Sequence, residues 1–308
     1  MVLRQTKNRK RKELGEKVKL EELIYKRFIN SANLVKHLAV FSGVPAIFSP
    51  EPPEENQEGW GGNTQYPMVV YNFDLQANEE RHSAGTLSVS LLCQNTTETT
   101  PEVIEPLVRD CLRDVVLKPA EGTPYCFTWA RTDAFTIDSE KGNVTIGSEV
   151  RFDILEYPSQ ETSDPDPIMA VNKYIKELYP ECLIMGYDRM EEITEATAEK
   201  PIVYCRLVSI EKSTETNTVA WMDGKIAVHV LCPNSEVRIK IATIIAQRIS
   251  LDGEIIMLDY SPMFVKHLQV NYKADYLKEG QLFITGHYGL LRYKAKEHTL
   301  IAAHTKYL

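Results

Sequence analysis

The sequence predicts an α+β protein made of two tandem copies of one small domain, each with one mainly antiparallel sheet packed by helices. Three observations predict it. The stretch GTLSVSLLCQN at 85–95 returns as GKIAVHVLCPN at 224–234, with glycine, valine, leucine, cysteine and asparagine in matching places. The features flanking this anchor recur in the same order in both halves. The register also holds: Gly85 and Gly224 are 139 residues apart, as are Gly147 and Gly286, whereas Pro67 and Pro201 are 134 apart. The first copy therefore carries extra residues upstream of its anchor strand.

Each copy opens with a helical pattern, 20–39 in the first and 166–178 in the second. A short apolar run follows, VPAIFS at 44–49 and CLIMGY at 182–187. Next come YPMVVYNFDL at 66–75 and KPIVYCRLVS at 200–209, proline-started and rich in β-branched residues and tyrosine, which read as strands. The anchor strands follow. Downstream of the first, Val103, Ile104, Leu107, Val108, Cys111, Leu112, Val115 and Val116 share one stripe at the three-and-four spacing of a core-facing helix, with Pro106 in its first turns. Downstream of the second, Val237, Ile241, Ala242, Ile244, Ile245 and Ile249 repeat the stripe, and Asn234 or Ser235 is placed to cap its start. Two more strands close each copy, 126–135 with 141–155 and 263–272 with 279–293. Between the copies, PSQETSDPDP at 158–167 has three prolines and no apolar residue, and reads as an extended linker with the boundary near Glu161. The chain thus divides into a basic arm (1–19), copy one (20–157), linker (158–167), copy two (168–293) and a C-terminal extension (294–308).

A length of 308 residues suits two such units, and 43 % hydrophobic with 25 % charged residues is ordinary globular composition. The six cysteines are scattered in apolar segments and never form C-x-x-C. That argues against zinc and against a disulfide scaffold, and fits a reducing compartment. No apolar region follows the basic start, and the longest apolar run, 38–48, is interrupted by Ser42, Gly43 and Pro45, so neither a signal peptide nor a membrane span is expected. The net charge of −8 hides an asymmetry, because residues 1–19 hold eight Lys or Arg against Glu13 and Glu16. Arg9, Lys10, Arg11 and Lys12 are the densest part of this arm. It can touch nucleic acid or an acidic neighbour, or be a solvated terminus.

The templates of catalysis are missing from the sequence. There is no G-x-x-x-x-G-K-[ST], H-E-x-x-H or G-x-S-x-G, and GWGG at 59–62 lacks the lysine and the following helix of a phosphate loop. His229 reads as a strand histidine, with Ser90 in its place in the other copy. Asp164 and Asp166 sit in the linker, where no desolvated pocket fixes them for acid–base work. The expectation is a protein with no cofactor, no metal and no enzymatic activity. The positive feature is the acidic loop SPEPPEENQEGWGGNTQ at 49–65, whose counterpart at 188–199 is shorter. Trp60, flanked by Glu54, Glu55, Gly61 and Gly62, is the candidate anchor for a neighbouring subunit, the other reading being that it packs on its own domain.

The order of a helix, IFSPEPPEENQ…QYPMVVYNFD, NEERHSAGTLSVSLLCQN, the helix EVIEPLVRDCLRDVVL and the closing strand NVTIGSEVRFDILEY resembles the bacteriophage tail-terminator, or tail-completion, family of minor tail protein U-like proteins. The resemblance covers 20–157 and, more faintly, 167–293. It is one of pattern, and the chain departs from single-domain members by its duplication, its arm and its extension. It implies a virion protein of the tail or neck, assembled in the host cytoplasm, that forms a homo-oligomeric ring at the head-proximal end of the tail tube. Three two-domain chains or six would close such a ring. The implied partners are the chain itself, the tail tube protein, a head–tail connector or neck protein and the tail sheath protein, with DNA passing only transiently and no membrane. Another neck, connector or sheath-associated protein, a nucleic-acid binder, and an enzyme with its site between the copies are the alternatives.

Overall fold

The computed structural model describes residues 19–54, 60, 65–138, 144–160 and 164–292. Helix α1, Leu20–Ile29, buries Leu20, Leu23, Ile24 and Phe28, one stripe at helical spacing. Asn30 ends it, and the Ser31 hydroxyl accepts the Leu34 N–H at 3.4 Å to start a second short helix, α2, Ala32–Val35. The single helix expected over 20–39 is therefore two, because Asn and Ser favour caps over helix interiors. Strands β1, Val40–Phe41, and β2, Val44–Pro45, form a small hairpin whose turn residues Ser42 and Gly43 both have positive φ. Then come β3, Ile47–Phe48; β4, Met68–Asp74; and β5, Gly85–Gln94.

Helix α3, Pro101–Leu112, starts with Pro101 at its first position, so Pro106 lies mid-helix and not in the first turn. Val115 and Val116, expected in this helix, are instead in a strand. Asp114 takes φ 54°, turning the chain into β6, Val115–Leu117. The long strands β7, Tyr125–Asp138, and β8, Val144–Glu156, complete the first half. In the second, Asp166 Oδ1 accepts the N–H groups of Ile168 (2.8 Å) and Met169 (3.1 Å) to cap α4, Pro167–Leu178. Strands β9, Leu183–Ile184; β10, Ile193–Glu195; β11, Ile202–Glu215; and β12, Val219–Leu231 follow. Asn234 caps α5, Ser235–Asp252, by accepting from Glu236 (2.9 Å) and Val237 (3.2 Å), and Gly253 ends it at φ 73°. Strands β13, Glu254–Ile256; β14, Pro262–Val270; and β15, Leu282–Leu291 close the described chain.

The fold class is α+β, as the alternation of patterns predicts. Read from β3, the first sheet runs β3-β4-β5-β8-β7-β6, with β10 added outside β6; the second runs β9-β11-β12-β15-β14-β13. The outer pairs β3–β4 and β9–β11 are parallel, and every other pairing is antiparallel. The short strands β6, β10 and β13 were not expected, since three residues are too few to display a period. Each sheet has helices on one face and its own apolar cluster, with Phe28, Tyr71 and Phe152 in the first and Val203, Ile245 and Tyr288 in the second. Among the described residues, no helix is long and apolar enough to cross a membrane.

The recurrent glycines have a spatial reason. A side chain at Gly147 would meet the Phe135 ring within 2.3 Å, and one at Gly286 would meet Met263 Sδ at 2.4 Å, so each glycine leaves room for a large neighbour across the sheet. At Gly85 an added Cβ would lie 2.0 Å from the Asp74 carbonyl oxygen, which is backbone and cannot swing away. At Gly224 the nearest atom is a Tyr288 ring carbon at 3.3 Å. Gly85→Ala is therefore expected to cost about 1–3 kcal/mol and Gly224→Ala less than about 1 kcal/mol. Urea midpoints of the two variants check this, and equal shifts would contradict it.

Candidate functional site

The feature that stands out is a joint in which one half of the chain completes the sheet of the other. Strand β10, from the connection between β9 and β11, pairs antiparallel with β6 in the register Ile193↔Leu117, Thr194↔Val116 and Glu195↔Val115. Lys118 N–H donates to Glu192 O (2.8 Å), and Ala196 N–H donates to Asp114 O (2.9 Å), at the two ends of the contact. β6 would otherwise be an open edge with unpaired backbone groups. Its side chains alternate: Val115 and Leu117 join the first core, and Val116 faces the other way, fully buried in the joint.

Behind β10 the outer faces of both sheets meet. Val116, Cys126, Leu155 and Tyr157 of the first half pack with Leu183, Met185 and Tyr204 of the second. Tyr157 packs edge-on against Tyr204 at 4.9 Å between ring centres, and its hydroxyl donates to Leu277 O at 2.9 Å. Burial pushes the Tyr157 and Tyr276 phenols up, so both stay protonated donors. Tyr276 donates to Asp114 at 2.6 Å, and the Arg238 guanidinium lies over its ring at 4.0 Å. Lys278 bonds Asp153, which is only 7 % exposed, at 3.0 Å. At the rim, Lys26 and Arg27 of α1 pair with Glu192 and Glu195; the first pair is exposed on both sides and worth at most about 1 kcal/mol, and Arg27 is half-buried.

His229 lies at the same joint. It is 1 % exposed, its Nε2 accepts from Arg206 Nε at 3.1 Å, and its Nδ1 is 2.9 Å from Tyr276 O. Arg206 is a donor only and the carbonyl an acceptor only, so the ring is neutral with its proton on Nδ1. Burial, the largest cause, pulls its pKa down to about 4, and the neighbouring Arg206 charge adds to that. The histidine read as a strand residue is thus a fully bonded core group.

At the matching edge of the second sheet, β13 has no strand outside it among the described residues. Ile255 and Met257 point into the second core as Val115 and Leu117 do into the first, which makes Ile256 the positional counterpart of Val116. Val265 N–H bonds Gly253 O (3.0 Å) and Met257 N–H bonds Ser261 O (2.9 Å), so by alternation the backbone groups of Glu254 and Ile256 face outward. Val116 is buried, whereas Ile256 is 46 % exposed, with Leu258 (48 %), Phe264 (43 %) and Tyr260 (85 %) exposed nearby in the chain.

A cavity of about 940 Å³ lies between the two halves beside the linker, lined by Lys118, Thr123 and Tyr157 of the first half and by Asn172, Asp188 and Tyr204 of the second. Part of its polar lining has structural work: Asp166 caps α4, Asp188 holds Lys176 (2.8 Å) and the Ile184 N–H (2.9 Å), and Tyr204 donates to Pro158 O (2.8 Å), whereas the buried Asn172 Oδ1 has no hydrogen-bond partner among the described residues. The linker expected to be free extended chain is therefore fastened at Pro158, and at Gln160, which accepts from Leu207 N–H at 3.3 Å. Among the described residues, no group of three or more His, Cys, Asp or Glu is arranged to hold a metal ion. All six cysteines are unpaired and buried, and burial raises each thiol, which makes them poor nucleophiles.

Of the residues singled out from the sequence, Trp60 is 3 % exposed and packs edge-on between Phe41 (4.9 Å) and Phe48 (5.3 Å) of its own chain. This corrects its expected role as an anchor for a neighbouring subunit, because rings from β1 and β3 already enclose it. Glu54 is exposed. Glu55, Gly61, Gly62, Arg9, Lys10, Arg11 and Lys12 lie outside the described residues, as does the extension 294–308. Sequence reasoning missed Asp114, Val116, Tyr276 and the segment 193–195. The only local signal was the acidic run around Ile193, facing the basic last turn of α1.

No protein-family model matches the chain, and no curated protein matches it.

Proposed function

We propose that the chain is a duplicated, ring-forming structural protein of a phage particle, acting as a tail terminator. One observation carries this reading: the two strand orders correspond position by position, and the halves are joined by an asymmetric contact in which one lends a strand to the other's edge. A like pair of folds joined in this way is what doubling and fusing one gene produces, and it supports placing the copies at 20–157 and 168–293. A contact of donor to acceptor is heterologous, so it repeats from copy to copy until a rotation closes it. The resemblance in sequence pattern supplies the particle and the place in it.

The mechanism is physical. A tail tube grows by head-to-tail addition and has no intrinsic end. A ring with one face complementary to the last tube layer and a different opposite face leaves further tube subunits without a partner. Growth stops, and the new face receives the head connector. An acidic body lining the lumen would not hold passing DNA, since phosphate attraction needs Lys and Arg. Sedimentation and electron microscopy of the purified full chain test the reading. The expected result is a discrete ring of three or six chains of 35.1 kDa each. A monomer at every concentration, or an open filament, would count against it.

A further inference from the structure

We infer that the cavity between the two halves is a binding site for a small organic anion with an apolar or aromatic body and an N–H group, held by Lys118 and Asn172. This site stands whether or not the chain forms a ring. About 940 Å³ is the volume of a small-molecule site, and the meeting of two folded units is a common place for one. Asn172 gives the first specific support. It stands on the buried stripe of α4 beside Ile168, Val171 and Ile175, where an apolar residue would be buried with no polar group to satisfy. The residue is 2 % exposed, and its Oδ1 has no partner among the described residues. A buried acceptor left unpaired costs the desolvation of that group, so this amide points to a partner outside the chain. Asn172 lines the cavity, and rotation about its last side-chain bond turns either amide atom toward it.

Charge selects the class of ligand. The charged side chains of the described lining are Lys118, Asp166 and Asp188. Asp188 is neutralised by Lys176 at 2.8 Å, and Asp166 is set against the N-terminal N–H groups of α4, whose dipole its charge offsets. Lys118 is tied by its backbone N–H to Glu192 O, but its half-buried ammonium has no partner among the described residues. The lining thus offers an unspent cation and an unspent amide, and both of its carboxylates are engaged. An acidic head bonds the ammonium, and an N–H of the ligand supplies the donor that Asn172 Oδ1 lacks. The remaining wall accepts an apolar body. Met169, Met185 and Met190 are adaptable, and Tyr157 and Tyr204 have spent their hydroxyls on Leu277 O and Pro158 O, which leaves their ring surface.

Titration of the full-length protein with anilinonaphthalene sulfonate, an acidic head on an aromatic body with one N–H, tests this. Fluorescence reads the affinity, and the methyl resonances of isotope-labelled methionine read the place. Of the eight methionines, Met169, Met185 and Met190 are expected to shift on binding. Lys118→Met is expected to weaken binding about tenfold or more, the loss of one charge-assisted bond, with an unchanged circular dichroism spectrum. Asn172→Leu keeps the branching of the side chain and is expected to weaken binding about threefold or more while raising the urea midpoint of the unliganded protein, because it removes an unpaired buried group. That second readout separates a ligand-holding amide from a structural one. A midpoint that falls in Asn172→Leu shows that the amide serves the fold, and overturns the site. Binding that is absent, with the cavity holding water only, that leaves those three methyls unmoved, or that persists unchanged in Lys118→Met overturns it as well.

Discussion

Replacing Tyr157 with alanine is expected to cost about 3–5 kcal/mol and to split a single cooperative unfolding transition into two. Tyr157 is the largest side chain that the first half contributes to the joint, 3 % exposed, packed on Tyr204 and bonded to Leu277 O. Removing it leaves a cavity between two sheets that each retain their own core, so the loss falls on the coupling of the halves more than on either half. Tyr157→Phe keeps the ring and loses only the hydroxyl bond, with an expected cost of about 1 kcal/mol and one transition preserved. Calorimetry of both variants reads the difference. A single transition in Tyr157→Ala, shifted by no more than in Tyr157→Phe, would contradict this role.

Acid should weaken the same joint. The imidazole of His229 has its pKa lowered from 6.5 to about 4 in the folded chain. Between these values the unfolded chain binds a proton that the folded chain does not, so stability rises with pH. The contribution is complete above about pH 6.5 and is lost as pH falls toward 4, by about 3 kcal/mol in all. Protonation would set Nε2–H against the Arg206 N–H, two donors face to face in a buried place. In His229→Gln the stability difference between pH 7 and pH 4.5 should shrink by about 2 kcal/mol relative to the unaltered chain. Chemical denaturation at the two pH values measures this, and an unchanged difference would show that the acid sensitivity lies elsewhere.

Much of the fold was legible because its longer elements carry a period. The stripes of α3 and α5, the alternation in β5 and the cap at Asn234 each leave a local trace in residue types. The register of glycines was legible for a packing reason, since Gly147 and Gly286 each accommodate a large side chain on the adjacent strand. The joint was not legible. Tyr276 and Asp114 are 162 residues apart, and nothing local to either announces the other. Residues 193–195 have no alternation to display and become a strand only because an edge is waiting. Val115 and Val116 continue a helical stripe by spacing, and only the left-handed turn at Asp114 diverts them. Trp60 was misread because a polar, glycine-flanked setting describes its sequence neighbours, whereas its spatial neighbours are Phe41 and Phe48.

The lent strand also sets a timetable for synthesis. When Leu117 is added to the growing chain, its partner in the covering strand, Ile193, is still 76 residues from being made. At about 5–20 residues per second, the nascent first half waits roughly 4–15 s with a sticky flank bare, long enough to meet another nascent chain in the same state. Quality control during translation is therefore most exposed in that interval, and slow codons between positions 117 and 193 would lengthen it.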